Sequence, residues 1–253
     1  MMPMSTTGTI LITGGGRGIG AATARLAARR GYAVGVNYRR DRQAAEALVE
    51  AIQADGGRGV AVQADVAVEG DVVRMFETID RVLGTLTALV NNAGILETQA
   101  RVESIGCARL QRVFAANVFG AFACAREAVK RMSTRHGGEG GAIVNVSSVA
   151  ARTGSPGEYV DYAMSKGAID TMTVGLAQEV ATEGIRVNAV RPGFIYTEMH
   201  ASGGEPNRVD RVKQFVPMRR GGHADEVAHA IMWLLSPEAS FTTGSFIDVA
   251  GGR

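Results

Sequence analysis

The stretch TILITGGGRGIG, residues 9–20, decides the fold. Thr9 to Ile12 is an uncharged run with a β-branched residue at most positions, the signature of a short buried strand. Glycines then crowd the next eight positions, and from Ile19 to Arg30 apolar residues return with helical period. Strand, glycine turn and helix in immediate succession open a βαβ unit. Glycines let the backbone turn tightly and approach a diphosphate, whose charge then lies at the helix N-terminus. With 33 glycines in the chain, a cluster alone says little; its place between strand and helix carries the dinucleotide reading. The spacing is T-G-x-x-x-G-x-G through Gly14, Gly18 and Gly20, and a strict G-x-G-x-x-G matches only loosely, ending in Ala21. No Gly-Lys-Ser/Thr follows, so a P-loop is excluded.

The same alternation continues along the chain. Strands are expected at Ala33–Val36, Gly59–Gln63, Ala88–Val90, Ala142–Val146, Arg186–Val190 and Ser245–Val249. Between them, helical periodicity covers Arg42–Ala54, Glu69–Leu83, Ala108–Met132, Tyr159–Glu183 and Ala224–Leu235. This order predicts an α/β fold, a doubly wound parallel sheet with helices on both faces. At 253 residues and 46% hydrophobic, one domain suffices, with no repeat or linker dividing it. Ligands on such sheets bind at the carboxyl ends of the strands, so those ends are where site residues are expected.

Bulk composition narrows the classes. A net charge of +2 without a basic run gives no nucleic-acid face. Cys107 and Cys124 are too far apart for a C-x-x-C pair, and His136, His200, His223 and His229 show no ligand spacing, so no metal is assigned. The opening MMPMSTTGT has no apolar leader core, and no run of 18 uncharged apolar residues occurs. A cytoplasmic protein with no membrane partner is expected.

The second strand runs into Asn37-Tyr38-Arg39-Arg40, where an NAD site would place Asp or Glu for the ribose hydroxyl. Guanidinium groups there suit a 2′-phosphate instead, with Arg17 projecting from the glycine turn near the same pocket. NADP(H) is therefore preferred, with NAD(H) possible. The third strand ends at Asp65-Val66, where an adenine would lie, and the fourth at Asn91-Asn92-Ala93-Gly94. The fifth leads to Ser147-Ser148, the sixth to Arg191-Pro192-Gly193 with Thr197 beyond.

These residues together resemble the short-chain dehydrogenase/reductase family in its compact branch, over the whole chain. Thr13–Gly20 is similar to its cofactor loop, Asn91–Gly94 to its N-N-A-G motif, and Asn117-Val-Phe-Gly120 to the motif with the active-site asparagine. Ser148 with Tyr162-x-x-x-Lys166 is similar to its catalytic set, and Pro192-Gly193-x-x-x-Thr197 to its nicotinamide-side loop. The resemblance implies a seven-stranded Rossmann sheet of order 3-2-1-4-5-6-7 as a single domain, with a substrate loop and helix at about 195–218. Reading and resemblance together put cofactor contacts at Gly14, Arg17, Gly18, Ile19 and Gly20, at Asn37, Tyr38 and Arg39, and at Asp65 and Val66. Further contacts are expected from Asn91, Ala93, Gly94, Tyr162, Lys166, Pro192, Gly193, Ile195 and Thr197. A homotetramer on the two long helices, or a homodimer, is also implied. One departure is an extra residue between serine and tyrosine, in the turn Gly154–Gly157.

The chemistry expected is hydride transfer between a nicotinamide and a carbonyl or secondary alcohol. Tyrosine is a poor base at neutral pH, and a cation one helical turn away lowers its pKa. Tyr162 has Lys166 at i+4, whereas Tyr159 has Ala163, so Tyr162 is taken as general acid/base. Ser148, favoured over Ser147, would hold the substrate oxygen, and Asn117, by resemblance, would organise a water next to Lys166. Asp161 is expected on another helix face as a solvated or loop-bonding residue. The substrate is left open between 3-oxoacyl chains on a carrier and small polyols, sugars or ketones, with Arg101, Arg109 and Arg112 able to meet an acidic carrier. The other class considered is a non-catalytic NADP-binding regulator or scaffold, against which the intact Ser, Tyr, Lys and Asn set argues.

Overall fold

The computed structural model describes residues 8–253, so most of the opening segment read for a leader lies outside the described residues. Seven strands form one parallel sheet: β1 (Thr9–Ile12), β2 (Ala33–Tyr38), β3 (Arg58–Gln63), β4 (Leu86–Asn91), β5 (Gly141–Val146), β6 (Ile185–Pro192) and β7 (Phe246–Val249). Their order is β3-β2-β1-β4-β5-β6-β7, as expected, all parallel, with the strand order switching sides between β1 and β4. A parallel sheet needs a crossover for every strand, and helices therefore cover both faces.

Six longer helices make those crossovers: α1 (Gly18–Arg29), α2 (Arg42–Ala54), α3 (Glu69–Leu83), α5 (Gly120–Met132), preceded by α4 (Cys107–Phe114), α6 (Val160–Val180) and α7 (Ala224–Leu235). The sequence suggested one helix from 108 to 132; the structure inserts a π turn, Ala115–Phe119, between α4 and α5. A π turn adds a residue and re-aims the neighbouring side chains. Here it contains Asn117. Strand β2 runs two residues further than its apolar run, because Asn37 and Tyr38 still pair with Val62 and Gln63.

Strands buried on both faces need apolar residues at every position, which is why β1 reads as a continuous run rather than an alternation. Ile10 and Ile12 face a layer built with α1, α2 and α7, while Leu11 faces α3, α5 and α6. Each such fully buried Leu or Ile contributes about 1.5–3 kcal/mol relative to exposure. The layers hold the strand ends, and hence the turns beyond them, in fixed relation. No helix among the described residues is long and apolar enough to cross a membrane.

One polar thread crosses this apolar interior. Asn91 Nδ2 donates to Asn145 Oδ1 at 3.0 Å, and Asn145 Nδ2 donates to Thr173 Oγ1 at 2.9 Å. It joins β4, β5 and α6 just beneath the strand ends. A buried acceptor or donor stripped of its partner costs about 1–3 kcal/mol. Asn145→Ala is therefore expected to lower unfolding free energy by about 2 kcal/mol in urea titrations, with far-UV circular dichroism unchanged.

Candidate active site

The turn after β1 is held open by its glycines and closed by β4. Gly14 and Gly18 have φ of 60° and 52°, left-handed backbone that favours glycine. Asn92 Nδ2 donates to the carbonyls of Thr13 and Gly14 at 2.9 and 3.0 Å, and Thr13 Oγ1 accepts from the N–H groups of Asn92 and Ala93. A Cβ at Gly20 would lie 2.5 Å from the Gly14 carbonyl oxygen and 2.7 Å from Asn92 Nδ2. Only glycine lets helix α1 start so close to the loop. That helix has no side-chain cap and no carboxylate in its first turn, so its positive end is left to an anion. These residues fit a dinucleotide diphosphate.

Asn37 does not face outward as a cofactor ligand. It is 2% exposed, its Oδ1 accepts from the Gly14 N–H at 3.0 Å, and its Nδ2 donates to the carbonyls of Val62 and Ala64. Its amide braces the glycine loop from behind, where a carboxylate would meet two carbonyl oxygens. Tyr38 is buried beside it at the end of β2. Arg39, just beyond β2, pairs with Asp65, its Nε 3.3 Å from Oδ2, the arginine exposed and the aspartate half-buried. Val66 is buried against Gly120.

At the other end of the cleft, β5 delivers two serines with different surroundings. Ser147 is 2% exposed, its hydroxyl donating to the Lys166 carbonyl, whereas Ser148 faces the opening and accepts from the Ala150 N–H. Strand alternation separates them. Tyr162 and Lys166 share one face of α6, and Lys166 Nζ donates to the Val146 carbonyl at 2.7 Å. Asn117 Oδ1 accepts from the Ile95 N–H at 2.7 Å, and its Nδ2 donates to Ser165 Oγ and to the Ile95 carbonyl. Gly94 separates the two: a Cβ there would lie 3.3 Å from Asn117 Oδ1 and 3.7 Å from Lys166 Nζ.

The electrostatics differ from the helix-spacing argument. Burial pushes the Tyr162 hydroxyl up to about 12, with a Ser148 hydrogen bond pulling it down only in part. Burial likewise pushes Lys166 down to about 8, opposed by Asp170. The lysine does not lower the tyrosine as expected. Its ammonium lies 5.6 Å from the centre of the Tyr162 ring and spends a hydrogen on Val146, so desolvation of the phenolate outweighs it. Burial thus favours the neutral phenol at Tyr162.

Asp161, expected as a solvated or loop-bonding residue, is instead buried in an ion pair. Asp161 is 2% exposed and forms a two-bonded ion pair with Arg109, at 2.7 and 3.1 Å, which also donates to the Thr98 carbonyl. Arg112 pairs with Glu97, and Arg101 with Glu103, so none of the three arginines offered to an acidic carrier is without an acid. The extra residue before Tyr162 is absorbed in a left-handed turn, with Gly154, Ser155 and Gly157 at φ of 73°, 45° and 75°. Tyr159, at the start of α6, is buried with the Arg208 guanidinium 4.8 Å from its ring centre.

Ser148, Tyr162 and Lys166 open on a cleft of about 480 Å³. Pro192, Gly193, Ile195 and Thr197 line its roof, and the Thr197 side chain would meet a Cβ at Gly18 at 3.2 Å, so the β6 loop lies over the glycine turn. Phe194, Leu96, Met199, His200, Arg208 and Arg253 form walls that sequence reasoning missed. They come from four separate segments with no shared spacing, so only tertiary packing gathers them.

Residues 14–253 match the family model described as enoyl-(acyl carrier protein) reductase. The chain is 63% identical over 243 residues to the uncharacterized oxidoreductase YgfF of Escherichia coli strain K12, spanning 96% of this chain and 98% of that one. It is 38% identical to glucose 1-dehydrogenase 2 of Bacillus subtilis strain 168, over 96% of this chain and 93% of the relative. A short-chain dehydrogenase from Burkholderia cenocepacia J2315, solved in complex with NADP, superposes with a TM-score of 0.88 at 31% identity, covering 96% of each chain. With the sheet order and the cleft already described, the chain belongs to the short-chain dehydrogenase/reductase family. Within that family it is an NAD(P)-dependent oxidoreductase.

Proposed function

We propose that the protein transfers a hydride between NADP(H) and a carbonyl or secondary-alcohol substrate, with Tyr162 as general acid/base. The observation that carries this reading is the meeting of Ser148, Tyr162 and Lys166 at one end of a cleft whose other end is the glycine loop. The bound cofactor supplies hydride at C4 of its nicotinamide, and the chain supplies orientation and a proton. Ser148 holds the substrate oxygen by its hydroxyl. Tyr162, kept neutral by burial, donates its proton to that oxygen in reduction and takes it back in oxidation. Lys166 presents its ammonium beneath the phenol, steadied by the Val146 carbonyl, and lessens the cost of the phenolate left behind. Asn117 holds the turn after β4 against α6 through Ile95 and Ser165, keeping the far side of Lys166 in place.

Preference for NADP over NAD rests on Arg39 just beyond β2, with Arg40 next in sequence and Arg17 in the glycine turn; the Burkholderia relative's complex with NADP supports it by analogy. Assembly into a homotetramer rests on Phe119, Phe122 and Met164, exposed by 65, 57 and 52% on the helices that carry Asn117 and Lys166.

Three measurements test these readings. Tyr162→Phe is expected to abolish nearly all carbonyl reduction, followed by NADPH absorbance across ketones, aldehydes and 3-oxoacyl thioesters, while NADPH still binds; retained turnover on a confirmed substrate would refute the mechanism. Arg39→Ala is expected to weaken NADPH binding about tenfold or more and leave NADH binding near its starting value, because a charge-assisted bond is lost only with the phosphate. Equal losses for both cofactors in fluorescence titrations would remove the 2′-phosphate assignment. Sedimentation should give one species of four times the chain mass, broken down by Phe122→Glu; a monomer at every concentration excludes the tetramer.

A further inference from the structure

Asp170 continues the spacing that singled out Lys166: Tyr162, Lys166 and Asp170 occupy successive i+4 positions on α6. One helix face thus carries a phenol, an ammonium and a carboxylate in order. Asp170 Oδ2 accepts from Arg191 Nε at 2.9 Å, and Nη2 of the same guanidinium lies 2.8 Å from it, with the two side chains only 14 and 17% exposed. Its other oxygen, Oδ1, is buried without a hydrogen-bond partner among the described residues. An unpartnered buried carboxylate oxygen is costly, and is retained where its charge serves another group. Lys166 has hydrogens to spare, since Val146 takes only one of its three.

Arg191 ties this carboxylate to the rest of the cleft. It is the next-to-last residue of β6, its guanidinium lies 3.9 Å from the centre of the Phe246 ring, and Nη1 is 3.6 Å from Asp248 Oδ1. Asp248 on β7 also binds Arg152, in the helical turn that follows Ser148. The alternating chain Asp170–Arg191–Asp248–Arg152 therefore joins the helix of Lys166, the roof of the cleft and the turn of Ser148.

We propose that Asp170 is a positioning residue for the Tyr162–Lys166 pair, its carboxylate supplying the negative charge that holds Lys166 as an ammonium beneath Tyr162. The role rests on the reading of Tyr162 and Lys166 as the catalytic pair. It explains how a lysine buried as deeply as this one keeps its proton. Burial alone pulls Lys166 down, and Asp170 is the charge that opposes it. The groups facing Lys166 are Tyr162 and Asp170 on its own helix, the Val146 carbonyl on β5, and uncharged Asn117 and Gly94 from the π turn and the β4 turn. Arg191, Asp248 and Arg152 stand behind Asp170.

The sign of the effect is fixed. Removing a negative charge makes loss of the lysine proton easier, so its titration moves to lower pH; removing the arginine charge moves it to higher pH. The chain has three lysines, so carbon-13 labelling at their ε carbons allows Lys166 to be followed by NMR in the full-length protein, its signal identified by its loss in Lys166→Met. From a midpoint of about 8 in the unaltered protein, Asp170→Asn is expected to lower the midpoint by about one pH unit. Asp170→Glu should restore it and Arg191→Gln should raise it. A midpoint that stays in place in Asp170→Asn, with or without a lower melting temperature, overturns the proposal. Should Asp170→Asn fail to fold, the Arg191→Gln shift decides: upward supports the role, and no shift or a downward one overturns it. The titration needs no substrate. A static Lys166 beside an inactive Tyr162→Phe would remove only the role of Asp170, whereas turnover surviving Tyr162→Phe would remove the catalytic reading itself.

Discussion

The contact on which the site depends is the stitch between the turns after β1 and β4. Asn92 spans from one turn to the carbonyls of Thr13 and Gly14 in the other, and Thr13 Oγ1 returns two hydrogen bonds. The stitch lies where the strand order reverses, so without it the two halves of the sheet would leave a loose gap at the place a ligand must bind. Its geometry forbids a side chain at Gly20 and places Asn37 behind the loop as a second brace. The cofactor loop is therefore shaped by backbone and amide groups, and the charged residues around it are free to select among nucleotides.

From this stitch the other end of the cleft follows by packing. The β4 turn carries Gly94, whose missing Cβ lets Asn117 and Lys166 approach from opposite sides. The thread Asn91–Asn145–Thr173 pins α6 to the sheet below the same point. Once α6 is held there, Tyr162 has little water around it, and desolvation sets its protonation more strongly than the lysine one turn away. The site keeps a neutral phenol and a weakened ammonium side by side, each shifted mainly by its own burial.

Helical spacing pointed correctly to the face shared by Tyr162 and Lys166, because an α-helix places i and i+4 together whatever surrounds it. It could not weigh burial against that cation, and so put the tyrosine on the wrong side of its usual value. The same limit explains Asp161 and Arg109. They are 52 residues apart, and nothing local says that an arginine on α4 meets an aspartate on α6 out of water. Asn37 shows a subtler case: its position at the end of β2 was legible, but which way its amide faced depended on β3 and the glycine loop together.

By itself the sequence determined the order of strands and helices, the parallel sheet with its switch point, the glycine loop and the shared helix face of Tyr162 and Lys166. These follow from period, spacing and the conformations glycine alone adopts, all properties of a few neighbouring residues. Only the tertiary structure decided that Ser147 is buried against α6, that Asn37 is a brace, that the helix at Asn117 contains a π turn, and that Asp170 stands with Arg191 one turn beyond Lys166. Those outcomes depend on how much water each group loses and on which distant partner replaces it. Desolvation is a property of the packed molecule, and no window of sequence contains it.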